Sequence, residues 1–165
     1  MKKKAATPYQ FKEGHEKEIL SRLERYCAYT ERCESDVVKK LREWKVPDEL
    51  FADTIEYLKE HRFIQQERFG QLYVNGKFKL KGWGKQKIKA TLIAKQVDED
   101  IIEVSLEEIE DEAYHNKLHQ LLSAKLKSMK EEDPFIMKGK LYRYALQKGY
   151  EPPLIMKWLD QNIST

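Results

Sequence analysis

Glycine and proline are sparse, at 7 and 5 in 165 residues, whereas all-β folds need turn formers every ~8–12 residues. That scarcity excludes sandwiches and barrels of many short strands and makes an all-α chain the expectation. Cysteine is limited to Cys27 and Cys33, with no Cys-x-x-Cys spacing and no second pair, so neither a disulfide framework nor a zinc ribbon is available. This usage fits a reducing compartment, and a cytoplasmic location is expected. No stretch approaches the roughly 18 apolar residues of a membrane span. The opening "MKKKAATPYQFKEG" is positive without the apolar run of a secretory signal, and residues 1–15 read as a flexible basic arm. Gly-x-Ser-x-Gly and His-Glu-x-x-His are absent, and "KGWGK" lacks both the spacing and the preceding strand of a phosphate loop. The motif basis for an enzyme is missing. No catalytic residue and no cofactor are expected.

What the chain has is charge. Charged residues make up 36% and apolar residues 41%, a mixture that suits polar-faced helices around thin cores. Apolar positions fall at helical spacing nearly throughout. Ile19, Leu20, Leu23, Tyr26 and Cys27 line a first helix; Val37, Val38, Leu41 and Trp44 line a second. "KVPDEL" restarts the chain, with Pro47 at a first helical position and acids suited to the positive helix start. Phe69, Leu72, Tyr73 and Gly76 share a face of a later helix, after which Gly76, Gly82 and Gly84 loosen the chain. Asp98 and Asp133 sit where N-caps belong, and Gly149 suits a left-handed residue closing a helix.

Superposing these helices reveals an internal repeat. Val37, Ile88 and Leu141 correspond, as do Leu41, Leu92 and Ala145, then Val46, Val97 and Tyr150. Leu50, Ile101 and Leu154 follow, and then Ile55, Leu106 and Leu159, at offsets of 51 and then 53 residues. The expectation is three tandem three-helix units, over 16–62, 63–109 and 110–165, forming an elongated, curved array.

The formal net charge is only +3, so distribution matters more than sum. Lys77, Lys79, Lys81, Lys85, Lys87, Lys89 and Lys95 form a basic block; nine acids between Asp98 and Glu112 follow it. Such a layout can orient a protein on a charged partner, or simply solvate two helix faces. Within the block, lysines alternate with Phe78, Leu80 and Trp83, a pattern able to meet phosphates while an aromatic ring packs on a base. The plain reading makes Phe78 and Trp83 core residues, and both readings stay open for Trp83. Asp111, His115 and His119 lie one turn apart on one helix, but no further ligand accompanies them and no metal is expected. Cys27 continues an apolar stripe and is expected to be buried.

The stretch "FIQQERFGQLYVNGKFKLKGWGKQKIKATLIAKQVDEDII" resembles the central signature of the RecX family of RecA regulators. The matching residues are Glu67-Arg68-Phe69, then Lys81-Gly82-Trp83-Gly84, then Lys85 with Ile88 and Leu92. "VVKKLREWKVPDELFADTIEYL" is similar to the family's first unit and "KGKLYRYALQKGYEPPLIMKWL" to its last, so the resemblance covers roughly residues 16 to 163. The chain departs from the family where Gln65–Gln66 replace an acidic pair, where Gly70 replaces alanine, and where Cys33 replaces a capping serine.

The resemblance implies a non-enzymatic regulator that binds the RecA filament on single-stranded DNA and restrains its growth, ATP hydrolysis and strand exchange. Partner or nucleic-acid binding is expected at Arg68, Lys77, Lys79, Lys81, Trp83, Lys85, Lys87 and Lys89, with weak direct DNA contact. The chain is expected to be a monomer, without membrane association. Two other classes compete: a DNA-binding regulator using Lys85–Lys95 as recognition helix, although it lacks the Arg and Asn used for base reading, and a helical protein scaffold acting without RecA.

Overall fold

The computed structural model describes residues 12–130 and 133–163. Residues 1–11 of the expected basic arm lie outside the described residues. Among those described there are nine α-helices and no strand: α1 Glu16–Tyr29, α2 Glu34–Glu43, α3 Phe51–Glu60, α4 Gln66–Lys81, α5 Lys85–Ala94, α6 Glu99–Glu107, α7 Asp111–Lys127, α8 Pro134–Lys148 and α9 Pro152–Asn162. The all-α repeat expected from the sequence is present. No helix of the described residues is long and apolar enough to cross a membrane.

The chain divides into two compact units, and the division falls within α4, between Phe69 and Gly70. In the first unit Ile19, Leu23 and Cys27 of α1 pack with Val37, Leu41, Val46, Leu58 and Ile64. Every one of these is under a tenth exposed, so the amphipathic stripes meet as their period requires. In the second unit the buried set runs from Val74 and Phe78 through Ile88, Leu92 and Ile102 to Tyr114, Leu118, Leu141, Ile155 and Leu159.

The repeat is written in the backbone as well as the side chains. Lys45, Gln96 and Gly149 hold φ of 57°, 60° and 92° at corresponding positions. The following amides close the same turn in each copy: Val46 N–H to Leu41 O at 3.0 Å, Val97 N–H to Leu92 O at 3.2 Å and Tyr150 N–H to Ala145 O at 3.2 Å. This is the Schellman geometry, in which a left-handed residue lets an amide reach back five positions to an orphan carbonyl.

Several local expectations hold and several shift. Asp133 caps α8, its side chain accepting from Phe135 and Ile136 N–H at 2.8 and 3.1 Å. Pro47 instead precedes a single 3₁₀ turn, Asp48–Leu50, and α3 begins only at Phe51. Gly76 does not loosen the chain, because α4 runs through it to Lys81. Of the face expected for α4, Phe69 is buried and Tyr73 and Gly76 half-buried, but the buried line then runs through Gly70, Val74 and Phe78 while Leu72 is 56% exposed. The cause is the bare backbone at Gly70. A Cβ there would stand 2.7 Å from Ser105 Oγ and 3.3 Å from Ile101 Cγ2, so α4 and α6 approach at the glycine rather than at Leu72. At the start of α2 the capping box forms with Cys33 in the place of serine: its side chain accepts from the Asp36 N–H, and Asp36 accepts from the Cys33 N–H at 3.4 Å.

Candidate nucleic-acid interface

The basic block wraps the turn between α4 and α5. Gly82 makes the turn at φ 64°, and Trp83 N–H donates to Lys77 O at 3.1 Å. Gly84 then starts α5 against the end of α8: its N–H donates to Lys148 O at 2.8 Å, and Gln86 N–H donates to Gly149 O at 3.1 Å. The free amides of one helix start thus satisfy the free carbonyls of another helix end. Only glycine permits this approach. A Cβ on Gly84 would lie 2.2 Å from Gly149 O, and one on Gly149 would lie 2.3 Å from Lys87 Cβ.

Beneath the turn, Tyr114 holds the platform. Its hydroxyl accepts from Lys85 N–H at 2.8 Å and donates to Glu151 Oε2 at 2.9 Å. Its ring stacks on Tyr150 at 5.0 Å and faces Phe78 at 6.0 Å. Phe78, 6% exposed, is therefore core. Burial pushes the hydroxyls of Tyr114 and Tyr150 far above the ordinary tyrosine range.

The lysines of the block have separate fates. Lys77 and Lys87 place their ammonium groups 4.8 and 4.7 Å from the centroid of the half-buried Trp83 ring, and Lys77 also lies 5.0 Å from Tyr73. Lys87 Nζ donates to Gln147 O at 3.1 Å. Lys79 and Lys81 are exposed; their carbonyls accept from Lys117 Nζ and Lys148 Nζ, each at 3.2 Å. Lys85 turns inward, donating to Ile109 O at 3.4 Å and lying 5.1 Å from the Tyr114 ring. Lys89 is drawn to Glu103, which raises its pKa, and to Glu99 at 3.7 Å. Arg68 belongs to the other unit, where Glu31, Gln65 Oε1 and Arg62 O accept from its guanidinium. The turn therefore gathers Trp83, Lys77, Lys79, Lys81 and Lys87. Lys148 and Lys117 join it from more than thirty positions along the chain (38 from Lys79 to Lys117), and no local pattern in the sequence marks them.

The other reactive side chains are engaged in structure. Burial pushes the Cys27 thiol up to about 11 and raises that of Cys33, so neither is a thiolate at neutral pH. His119 Nδ1 accepts from Trp158 Nε1 at 2.9 Å, and its Nε2 lies 3.4 Å from Ser123 Oγ.

Fold and site together define an all-α repeat protein whose distinctive chemistry is a hydrogen-bonded, basic, tryptophan-bearing turn. Family models for the RecX second and third three-helix domains match residues 66–106 and 112–159. A Regulatory protein RecX of Clostridium perfringens strain 13 is 32% identical over 124 residues, 74% of this chain and 58% of that protein. One from Clostridium botulinum strain Eklund 17B is 33% identical over 135 residues, 81% of this chain and 63% of its own. A crystal structure of regulatory protein RecX superposes with TM-score 0.80, and that of RecX from Lactobacillus salivarius with 0.73. Both are 21% identical and cover 88% of this chain, spanning 73% and 96% of their own. The chain belongs to the RecX family, a regulatory and not an enzyme family. It spans less than two thirds of the length of these curated relatives.

Proposed function

We propose that this chain binds RecA filaments assembled on single-stranded DNA and restrains their ATP turnover and strand exchange in DNA repair and recombination. The observation that carries the reading is the succession of two RecX three-helix domains over 66–106 and 112–159, with the basic turn lying inside the first. The same reading takes 16–62, 63–109 and 110–165 as three units of a cytoplasmic monomer without cofactor. Repeated helical modules can each contact a filament protomer, and such contacts add through multivalency without any deep pocket. The turn faces the filament's DNA or an acidic wall of its groove.

The test is ATP turnover by preformed filaments as the full chain is titrated in. Wild-type chain slows turnover. Lys77→Glu/Lys79→Glu/Lys81→Glu raises the concentration for half-inhibition at least tenfold, with helicity unchanged by circular dichroism. Lys85, Lys87 and Lys89 are left alone because their side chains brace the turn. Full inhibition by the triple variant removes the basic block from the mechanism.

A further inference from the structure

A second basic surface lies outside the block. A groove of about 620 Å³ between α7 and α8 is lined by Lys125, Lys130, Lys140 and Arg143, with Tyr144 and Gln147. Among the described residues no carboxylate pairs with Lys125, Lys130 or Arg143, whereas Lys85, Lys89 and Lys138 all have acids within ion-pair distance. Lys125, Lys130 and Arg143, gathered on one groove, raise the local potential and favour an anionic occupant.

Two observations narrow the anion. First, the groove and the basic turn are tied together. Lys87 Nζ donates to the carbonyl of the groove residue Gln147, while Lys148 Nζ lies 5.8 Å from the Tyr144 ring and donates to Lys81 O. Second, an arrangement recurs. Trp83 has the ammonium groups of Lys77 and Lys87 within 5 Å of its centroid, and Tyr144 has those of Lys125 and Lys148 at 5.5 and 5.8 Å. A partly exposed ring flanked by cations suits a base with its neighbouring phosphates. An acidic peptide would use the cations and leave the rings idle.

We propose that the α7–α8 groove is a binding site for a single nucleic-acid strand, continuous with the basic turn, in which Lys125, Lys130 and Arg143 meet phosphates and Tyr144 stacks a base. It rests on the proposed function for the source of the strand, but its test needs no filament.

Fluorescence anisotropy of a labelled oligothymidylate with the full chain reads the site directly. Lys125→Glu/Arg143→Glu weakens binding at least tenfold. It also flattens the slope of log affinity on log salt by about 1.4, at ~0.7 per phosphate contact on a single strand. Tyr144→Leu weakens binding roughly fivefold with the salt slope unchanged, the mark of a lost stacking contact. Circular dichroism verifies that each variant is folded, and Lys39→Glu/Lys45→Glu in the first unit controls for net charge. Unchanged affinity and slope in the groove variants overturns the proposal. So does groove-dependent capture of polyglutamate, or of inorganic triphosphate, without groove-dependent capture of the oligonucleotide. Groove-dependent oligonucleotide binding by a chain that fails to slow filament ATP turnover supports this site and sinks the proposed function instead.

Discussion

Tyr150 is the largest of the fully buried side chains, and its hydroxyl has no hydrogen-bond partner among the described residues. A buried unpaired hydroxyl forfeits its hydration for nothing, so removing it relieves desolvation. Tyr150→Phe keeps the ring that stacks on Tyr114 and is expected to leave stability at pH 7 unchanged or higher, by up to about 1 kcal/mol. Its pH signature is separate. Burial raises the folded pKa above the ordinary value of 10.0, so the contribution is complete below that value. Above it the unfolded chain loses the proton first, and stability falls as pH rises. The variant therefore loses less stability than wild type between about pH 10 and 12, as urea unfolding at pH 7 and at high pH would read. A loss above about 1 kcal/mol at pH 7 would mean that the hydroxyl is satisfied after all. Tyr114 offers no such relief, because its hydroxyl bonds both Lys85 N–H and Glu151.

At the scale of elements, among the three equivalent helix ends only the third has glycine in the left-handed position. Lys45 and Gln96 carry a Cβ there, at an intrinsic penalty of roughly 1–2 kcal/mol. Lys45→Gly and Gln96→Gly are each expected to stabilise the fold by about 0.5–1 kcal/mol, part of the relief being offset by the greater freedom of glycine in the unfolded chain. The reverse change is not symmetric. Gly149→Ala meets Lys87 Cβ at 2.3 Å, so its midpoint in urea should fall steeply where the other two rise. A destabilised Lys45→Gly would show that the lysine side chain contributes more than its backbone strain removes. The contrast explains what the sequence could and could not disclose. Helices, the Asp133 cap, the Gly149 turn and the repeat were legible because each follows from local period or local turn chemistry. The seating of α4 on Gly70 was not, since Leu72 offers the stronger apolar signal and only the proximity of Ser105 decides. Likewise "KGWGK" announces a turn, but nothing near it announces that Lys148 and Gly149 complete it. The lysines looked equivalent in the sequence; packing against Tyr114, Glu103 and Gln147 is what separates the braces from the free ones.

For the molecule as a whole, the acid run after the basic block turns out to be largely structural. Glu99 and Asp100 occupy the first turn of α6, Asp111 and Glu112 that of α7, where carboxylates favour the positive helix start. Glu103 is paired with Lys89. Asp98 and Glu110 stand at the N-cap positions of those two helices, which leaves Glu107 and Glu108 as exposed charges whose effect is chiefly on the overall field. Neutralising both, as Glu107→Gln/Glu108→Gln, moves the formal net charge from +3 to +5. If anion binding followed the summed charge, such a variant, shifted by +2, would gain in log affinity about half of what Lys125→Glu/Arg143→Glu, shifted by −4, loses. If binding is local, screening over a length of about 8 Å at physiological salt should confine the gain to less than about twofold, growing only at low salt. Oligonucleotide anisotropy across a salt series separates the two cases. A gain of about threefold or more at physiological salt would locate affinity in the diffuse field. A small, salt-sensitive gain beside a large loss in the lysine variants places it where two aromatic rings and their flanking cations are held by the ends of α4, α5 and α8.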